Sequence, residues 1–209
     1  MIKPHSSRAL LQNGAQPRKL LLLDRDGVLN EDRPRSVTSL EALALIPRAA
    51  EAVAMAQKAG YAVIVVTNQA CVGRGELSHR KLQKIHQKLN ALLRQQGGEK
   101  ALIDDYYICP HRAEDDCDCR KPKTGLFVQV ARDRDFDAEQ TFFVGDALRD
   151  AQAARSASLR FALVKTGKGT QTQEKIQPAC IFDDLFDFVA NQLLAAPAST
   201  EMDQRGQQG

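Results

Sequence analysis

The 209-residue chain predicts an α/β fold, a Rossmann-like three-layer sandwich with a mostly parallel central sheet and no separate cap domain. Three observations carry this reading. Short apolar or β-branched runs recur along the chain, segments with helical spacing separate them, and two of the runs deliver an aspartate at their carboxyl end. Alternation of this kind argues for βαβ units, and polar residues at strand ends are where open α/β sheets bind ligands.

Lys19 to Leu23 is a compact apolar run entering an Asp-rich turn, as a buried parallel strand does when a site lies at its end. Pro47 then opens a helix over 48–59, with Gly60 just past its end. Tyr61 to Val66 is the second strand and ends at Thr67. Ser78 can cap a helix whose Leu82, Ile85, Leu89, Leu92 and Leu93 share one face, before Gly97 and Gly98 stop it. A third strand covers 105–109. A short helix is expected over 126–132, a strand over 141–144, a helix over 147–156 and a strand over 159–164. A last short strand over 180–182 and a terminal helix over 183–194 complete the pattern.

Composition excludes several classes. Hydrophobic residues make up 43% and charged residues 26%, the balance of an ordinary globular domain, and the net charge of +3 is spread along the chain. Neither nucleic acid nor membrane is expected as a partner; a monomeric state and a cytoplasmic location are. Residues 1–18 read as a flexible tail, 19–194 as one domain and 195–209, rich in Ala, Ser, Gln and Gly, as a disordered tail. His5 lies in the first tail. Cys71 and Cys180 lack partners in sequence and read as core or loop thiols, and His79 and His86 as flanking the buried face of their helix.

The strand ends read Asp24-Arg25-Asp26-Gly27, Thr67-Asn68-Gln69 and Gly145-Asp146. Two carboxylates at i and i+2 on an extended segment point the same way, an arrangement that favours a shared cation. Magnesium prefers hard oxygen ligands, and Asp24, a backbone carbonyl near Asp26, and Asp146 form a partial cage for it. An isolated Asp-x-Asp-Gly is more often just a turn. Here it is accompanied by Thr67, Lys121 and the pair Asp146 and Asp150.

In that order these residues resemble the haloacid dehalogenase-like phosphohydrolases. The matching segments are Leu23-Asp24-Arg25-Asp26-Gly27-Val28-Leu29-Asn30, Val66-Thr67-Asn68-Gln69, Arg120-Lys121-Pro122 and Val144-Gly145-Asp146-Ala147-Leu148-Arg149-Asp150, and the resemblance covers residues 19 to 167. It implies a phosphomonoester hydrolase of a small phosphorylated molecule, in which Asp24 attacks phosphorus and Asp26 serves as general acid and base. Thr67 and Lys121 would hold the phosphoryl group. Asp24, Asp26 and Asp146 would hold Mg²⁺, with Asp150 in support.

Cys109, His111, Cys117 and Cys119 form C-x-H-x5-C-x-C, a complete tetrahedral Cys3His set, and closed sets of this kind are structural. The loop is otherwise polar, with Arg112, Glu114, Asp115, Asp116 and Asp118, and has almost nothing apolar to fold around. Zn²⁺ would order it and fix the adjacent Arg120 and Lys121. The same run resembles the zinc-binding subgroup of the family, which contains heptose-1,7-bisphosphate 7-phosphatases and histidinol-phosphate phosphatases.

Only twenty residues separate Asp26 from Pro47, and the stretch from Thr67 to Lys121 is filled by a helix, a strand and the cysteine loop, so loops must recognise the substrate. Asn68, Arg120, Arg33, Arg35 and Arg74 are the candidate contacts, the arginines as anion partners. Asp26 to Asn30, Thr67 to Gly75 and Thr166 to Gly169 resemble the heptose-bisphosphate members and imply that substrate, from the precursor pathway of lipopolysaccharide. The short gap in the cysteine loop resembles the histidinol-phosphate members instead. Ala147 departs from a lysine common in the former, and Arg33-Pro34-Arg35-Ser36-Val37 departs from their Gly-Tyr-Val-His-like segment.

Overall fold

The computed structural model describes residues 19–194, so the two expected tails lie outside the described residues. Six strands form one parallel sheet: β1 (Leu20–Leu23), β2 (Ala62–Asn68), β3 (Asp105–Cys109), β4 (Phe142–Gly145), β5 (Arg160–Val164) and β6 (Ile181–Phe182), in the order β3-β2-β1-β4-β5-β6. The chain builds outward from β1 to β3, then returns to the other side of β1 with β4. That reversal between β1 and β4 is the switch point at which a doubly wound sheet opens a crevice.

The helices are α1 (Ala49–Lys58), α2 (Ala70–Gly73), α3 (His79–Gly97), α4 (Gly125–Asp133), α5 (Leu148–Ser156), α6 (Gly169–Gln173) and α7 (Leu185–Phe188). Side chains alternate across the sheet. Leu21, Leu23, Val63, Val65 and Val144 join one core with residues of α1, α3 and α7, whereas Leu20, Leu22, Ile64, Val66 and Phe143 join another with residues of α4 and α5. All four residues of β1 are fully buried, which is why it reads as an unbroken leucine run rather than an alternating one.

The expected elements are present, with instructive differences. Pro47 does not sit in the first turn of α1; Arg48, left-handed at φ 62°, caps a helix that begins at Ala49. Ser78 caps α3 by accepting a hydrogen bond from the Lys81 amide, and Gly98, at φ 83°, ends it. On α3, His86 is buried while His79 is exposed and Leu92 lies only at the core's margin. The expected terminal helix splits into α7 and a π-helical turn, Val189–Leu193. Two helices were not anticipated: α2 is a single turn, and the Gly-Thr-Gln-Thr-Gln of α6 has no apolar periodicity to announce it.

Leu22 pairs in register with Ile64 on one side and Phe143 on the other, in the middle of the sheet. Leu22→Ala is expected to cost about 2–5 kcal/mol of stability through lost contacts and a residual cavity. Urea denaturation would read this as a lower midpoint with an unchanged slope.

Candidate active site

Three carboxylates, Asp24 after β1 and Asp146 and Asp150 around the start of α5, converge with their oxygens within 4.8 Å of one another, all of them buried. Lys121 reaches this cluster from the loop before α4. Its buried ammonium lies 2.8 Å from Asp150 Oδ1 and 3.2 Å from Asp24 Oδ1 as ion pairs, and it donates a hydrogen bond to the Val66 carbonyl at 2.8 Å. Asp150 also accepts the Ala147 amide at 3.0 Å, so it closes the first turn of α5 while anchoring the lysine.

Burial alone would raise the Asp24 carboxyl. The Lys121 ammonium and the Arg149 guanidinium, helped by the Arg25 amide and the Thr67 hydroxyl, outweigh it and hold Asp24 below the usual carboxylate range. It is therefore ionised and fit to act as a nucleophile. Asp146 behaves oppositely: burial, followed by the charges of Asp24 and Asp150, pushes it up to about 7, against the opposing Lys168 amide. Its Oδ1 is buried without a hydrogen-bond partner. An orphaned oxygen beside two carboxylates is a set of hard donors short of positive charge, which fits a divalent magnesium ion held by Asp24 and Asp146.

Thr67, at the end of β2, is buried, and its hydroxyl lies close enough to Asp24 to help hold that carboxyl down. Gln69 donates to Thr67 Oγ1 at 3.1 Å and to Asp26 Oδ2 at 2.8 Å, tying the two motifs together. The Asp26 carboxylate lies outside the metal-side cluster, at the rim of the site, where it also accepts from Asn30 at 2.9 Å and from Arg25. Gly27, at φ 85°, and Gly167, at φ 57°, pack so closely on Asp146 that a Cβ at either position would overlap its Oδ2. The loop around Gly167 is pinned by Thr166 Oγ1 to the Gly27 carbonyl at 2.6 Å and by the Lys168 amide to Asp146 Oδ2 at 2.8 Å.

The candidate substrate contacts are dispersed. Both ends of the Asn68 carboxamide are taken by the Lys121 backbone, at 3.1 and 3.0 Å, so Asn68 places the lysine. Arg33 pairs with Glu31 at 2.9 Å, and Arg74 pairs with Glu76 at 2.8 Å, both near the surface. Arg35 lies close enough to Glu76 to add to the pull of Arg74 on its carboxyl, and Arg120 donates to the His111 carbonyl at 3.2 Å. Sequence reasoning passed over Arg25, Gln69 and Arg149, the last of which lies 3.8 Å from Asp24 Oδ2. Their position inside the motifs was the available signal, although no residue type there announced a role.

Cys109, His111, Cys117 and Cys119 gather beneath this site. Their ligand atoms lie 3.7 Å (Cys109 to His111), 3.6 Å (Cys109 to Cys117), 3.2 Å (His111 to Cys119) and 3.5 Å (Cys117 to Cys119) apart. A tetrahedral zinc with ordinary bond lengths has S···S edges of about 3.8 Å and S···N edges of about 3.5 Å, so the donors fit that ion. The cluster also braces the neighbouring loop, with the Gln69 amide on the Cys109 carbonyl at 2.7 Å and the Gly73 amide on the Pro110 carbonyl at 2.9 Å.

A carboxylate at the end of the central strand, clamped by a hydroxyl from the next strand and by a lysine anchored to an acidic turn, defines a haloacid dehalogenase-like hydrolase. A family model described as HAD-hydrolase-like matches residues 118–188. The D-glycero-beta-D-manno-heptose-1,7-bisphosphate 7-phosphatase of Pseudomonas aeruginosa is 43% identical over 170 residues, covering 80% of this chain and 94% of that protein. That of Neisseria meningitidis serogroup A is 41% identical over 175 residues, covering 81% and 92%. The crystal structure of the D,D-heptose 1,7-bisphosphate phosphatase of Bordetella bronchiseptica, complexed with magnesium and phosphate, superposes with a TM-score of 0.80 at 35% identity over 85% of this chain and 99% of that one. The chain belongs to the HAD-like phosphatase family that contains these heptose-bisphosphate enzymes, and it is itself a phosphatase. Among the described residues, no helix is long and apolar enough to cross a membrane.

Gly167→Ala tests the packing around Asp146. A left-handed alanine costs about 1–2 kcal/mol, and displacing the carboxylate should lower phosphatase kcat/KM by roughly 10²-fold, a loss that steady-state kinetics would read beside a modest fall in Tm.

Proposed function

We propose that this phosphatase removes the 7-phosphate of D-glycero-D-manno-heptose 1,7-bisphosphate through an aspartyl phosphate formed on Asp24. The observation that carries the reading is the convergence of Thr67, Lys121 and Asp146 on the ionised Asp24, in a chain whose relatives bear that activity in their names. Asp24 attacks phosphorus as the ester oxygen departs, and Asp26 protonates that oxygen. Asp26 then takes a proton from water, which attacks the aspartyl phosphate and frees Asp24. The Thr67 hydroxyl and the Lys121 ammonium hold the phosphoryl oxygens throughout.

Asp24 and Asp146, with a backbone carbonyl near Asp26, hold Mg²⁺ in this reading, and Asp150 supports them through Lys121. Bound there, the ion neutralises charge on the transferring phosphoryl group. Zn²⁺ at Cys109, His111, Cys117 and Cys119 has a structural role: it fixes the loop that carries Arg120 and Lys121. With no cap domain, loop arginines such as Arg33, Arg35, Arg74 and Arg120 are candidates to meet the distal phosphate, Arg33 and Arg74 by exchanging their glutamate partners.

Two measurements test this reading. In a kinetic panel, kcat/KM for heptose 1,7-bisphosphate should exceed that for histidinol phosphate and for simple sugar monophosphates, and Asp24→Asn should lose at least about 10³-fold. A preference for histidinol phosphate would overturn the substrate while sparing the mechanism. Gently purified protein should contain one zinc per chain by elemental analysis, and Cys117→Ser should lower both its zinc content and its Tm; protein that is fully active without zinc would remove the structural role.

A further inference from the structure

Arg25 lies between the two motif aspartates and is completely buried, and its guanidinium reaches His86 of α3. Its guanidinium holds Asp26 with Nη2 at 2.8 Å from Oδ1 and 2.9 Å from Oδ2, and with Nε at 3.2 Å from Oδ1. Nη1 meets His86 Nε2 at 3.3 Å. Arginine can only donate, so Nε2 must accept and the ring must be neutral, with its proton on Nδ1. Burial, with Arg25 adding to it, lowers the His86 pKa to about 3, which keeps the ring in that form.

The ring is fixed in turn. It stacks on Tyr106 of β3 with centroids 4.1 Å apart and planes within 8°, and the Tyr106 hydroxyl lies 3.5 Å from the His86 carbonyl. A chain of contacts thus runs from β3 through Tyr106, His86 and Arg25 to the Asp26 carboxylate. Among the described residues, the Asp26 side chain is otherwise held by the amides of Asn30 and Gln69, and it is the partly exposed member of its ion pair. Charge balance alone is indifferent to the plane of the guanidinium, whereas the donors to both Asp26 oxygens on one side and the His86 acceptor at Nη1 on the other together fix that plane.

We propose that Arg25 and His86 are positioning residues for Asp26: His86, as a neutral hydrogen-bond acceptor, sets the plane of the Arg25 guanidinium, and Arg25 aims the Asp26 carboxyl at the leaving oxygen. The proposal rests on Asp26 being the general acid. It places a determinant of proton transfer on α3, sixty-one residues along the chain from Arg25.

The test compares two leaving groups in the full-length protein. For a reaction through a covalent intermediate, kcat/KM covers only steps up to formation of that intermediate. An alkyl phosphate such as a sugar phosphate needs a proton on its leaving oxygen, whereas p-nitrophenyl phosphate does not. His86→Phe preserves the ring stack on Tyr106 but removes the acceptor, and His86→Gln restores an acceptor. His86→Phe should lower kcat/KM for the sugar phosphate by roughly tenfold, the scale of one hydrogen bond to a charged group, and change it less than about threefold for p-nitrophenyl phosphate. His86→Gln should recover most of the loss. Asp26→Asn provides the reference, with a larger loss of about 10²–10⁴-fold confined to the sugar phosphate. Equal losses on both substrates in His86→Phe, tracking a lowered Tm, would overturn the positioning role, as would wild-type kinetics in that variant beside a disabled Asp26→Asn. Unchanged sugar-phosphate turnover in Asp26→Asn would instead overturn the acid assignment beneath it.

Discussion

The organising constraint is the crowding of three buried carboxylates, two of which share a single ammonium. Asp24, Asp146 and Asp150 cannot all be charged in a dry site unless cations offset them. Lys121 supplies one positive charge, Arg149 a second beside Asp24, and the amides of Arg25, Ala147 and Lys168 contribute dipoles. The remaining imbalance falls on Asp146 and Asp150: burial raises both carboxyls, Asp146 up to about 7, and the Oδ1 of each has no hydrogen-bond partner, that of Asp150 being ion-paired with Lys121. The protein thus keeps a deficit of positive charge on this acidic pair, next to the ionised Asp24. Divalent-cation binding and phosphoryl transfer both follow from that single imbalance.

The fold makes the crowding tolerable. β1 is entirely buried and hydrogen-bonded on both sides, so it delivers Asp24 from a rigid strand end rather than a loop. Glycines at 27 and 167 let two backbones close over Asp146. Asn68 uses its whole carboxamide to hold the Lys121 backbone, while the Cys3His cluster grips the chain two residues before that lysine and braces the turn after β2. A lysine arriving on a long polar loop would otherwise lose much of its orientation to conformational freedom.

Much of this was legible in the sequence, because the relevant signals are local. Leucine and valine runs mark the strands, Ser78 and Gly98 bound α3, and the aspartates, Thr67, Lys121 and the Cys3His set stand where strands and loops deliver them. What escaped depended on tertiary geometry. Arg25 reads as an ordinary charged residue until burial shows it facing α3, and His86 reads as one more helical histidine until Tyr106 stacks on it. Asn68 offered two hydrogen-bonding ends, and only the folded chain shows both turned toward Lys121. The surface arginines are the converse case: their charge is plain in sequence, but partners such as Glu31 and Glu76 already engage two of them.

The central claim is that Asp24 becomes covalently phosphorylated during turnover. Acid quenching of the enzyme within milliseconds of mixing with substrate and Mg²⁺, followed by peptide mass spectrometry, tests it directly. One phosphoryl group on the peptide containing Asp24, absent when Asp24→Asn is treated in the same way, is the expected result. Burst-free turnover with no phosphorylated peptide at any quench time, or a phosphoryl group that persists in the Asp24→Asn protein, would contradict it.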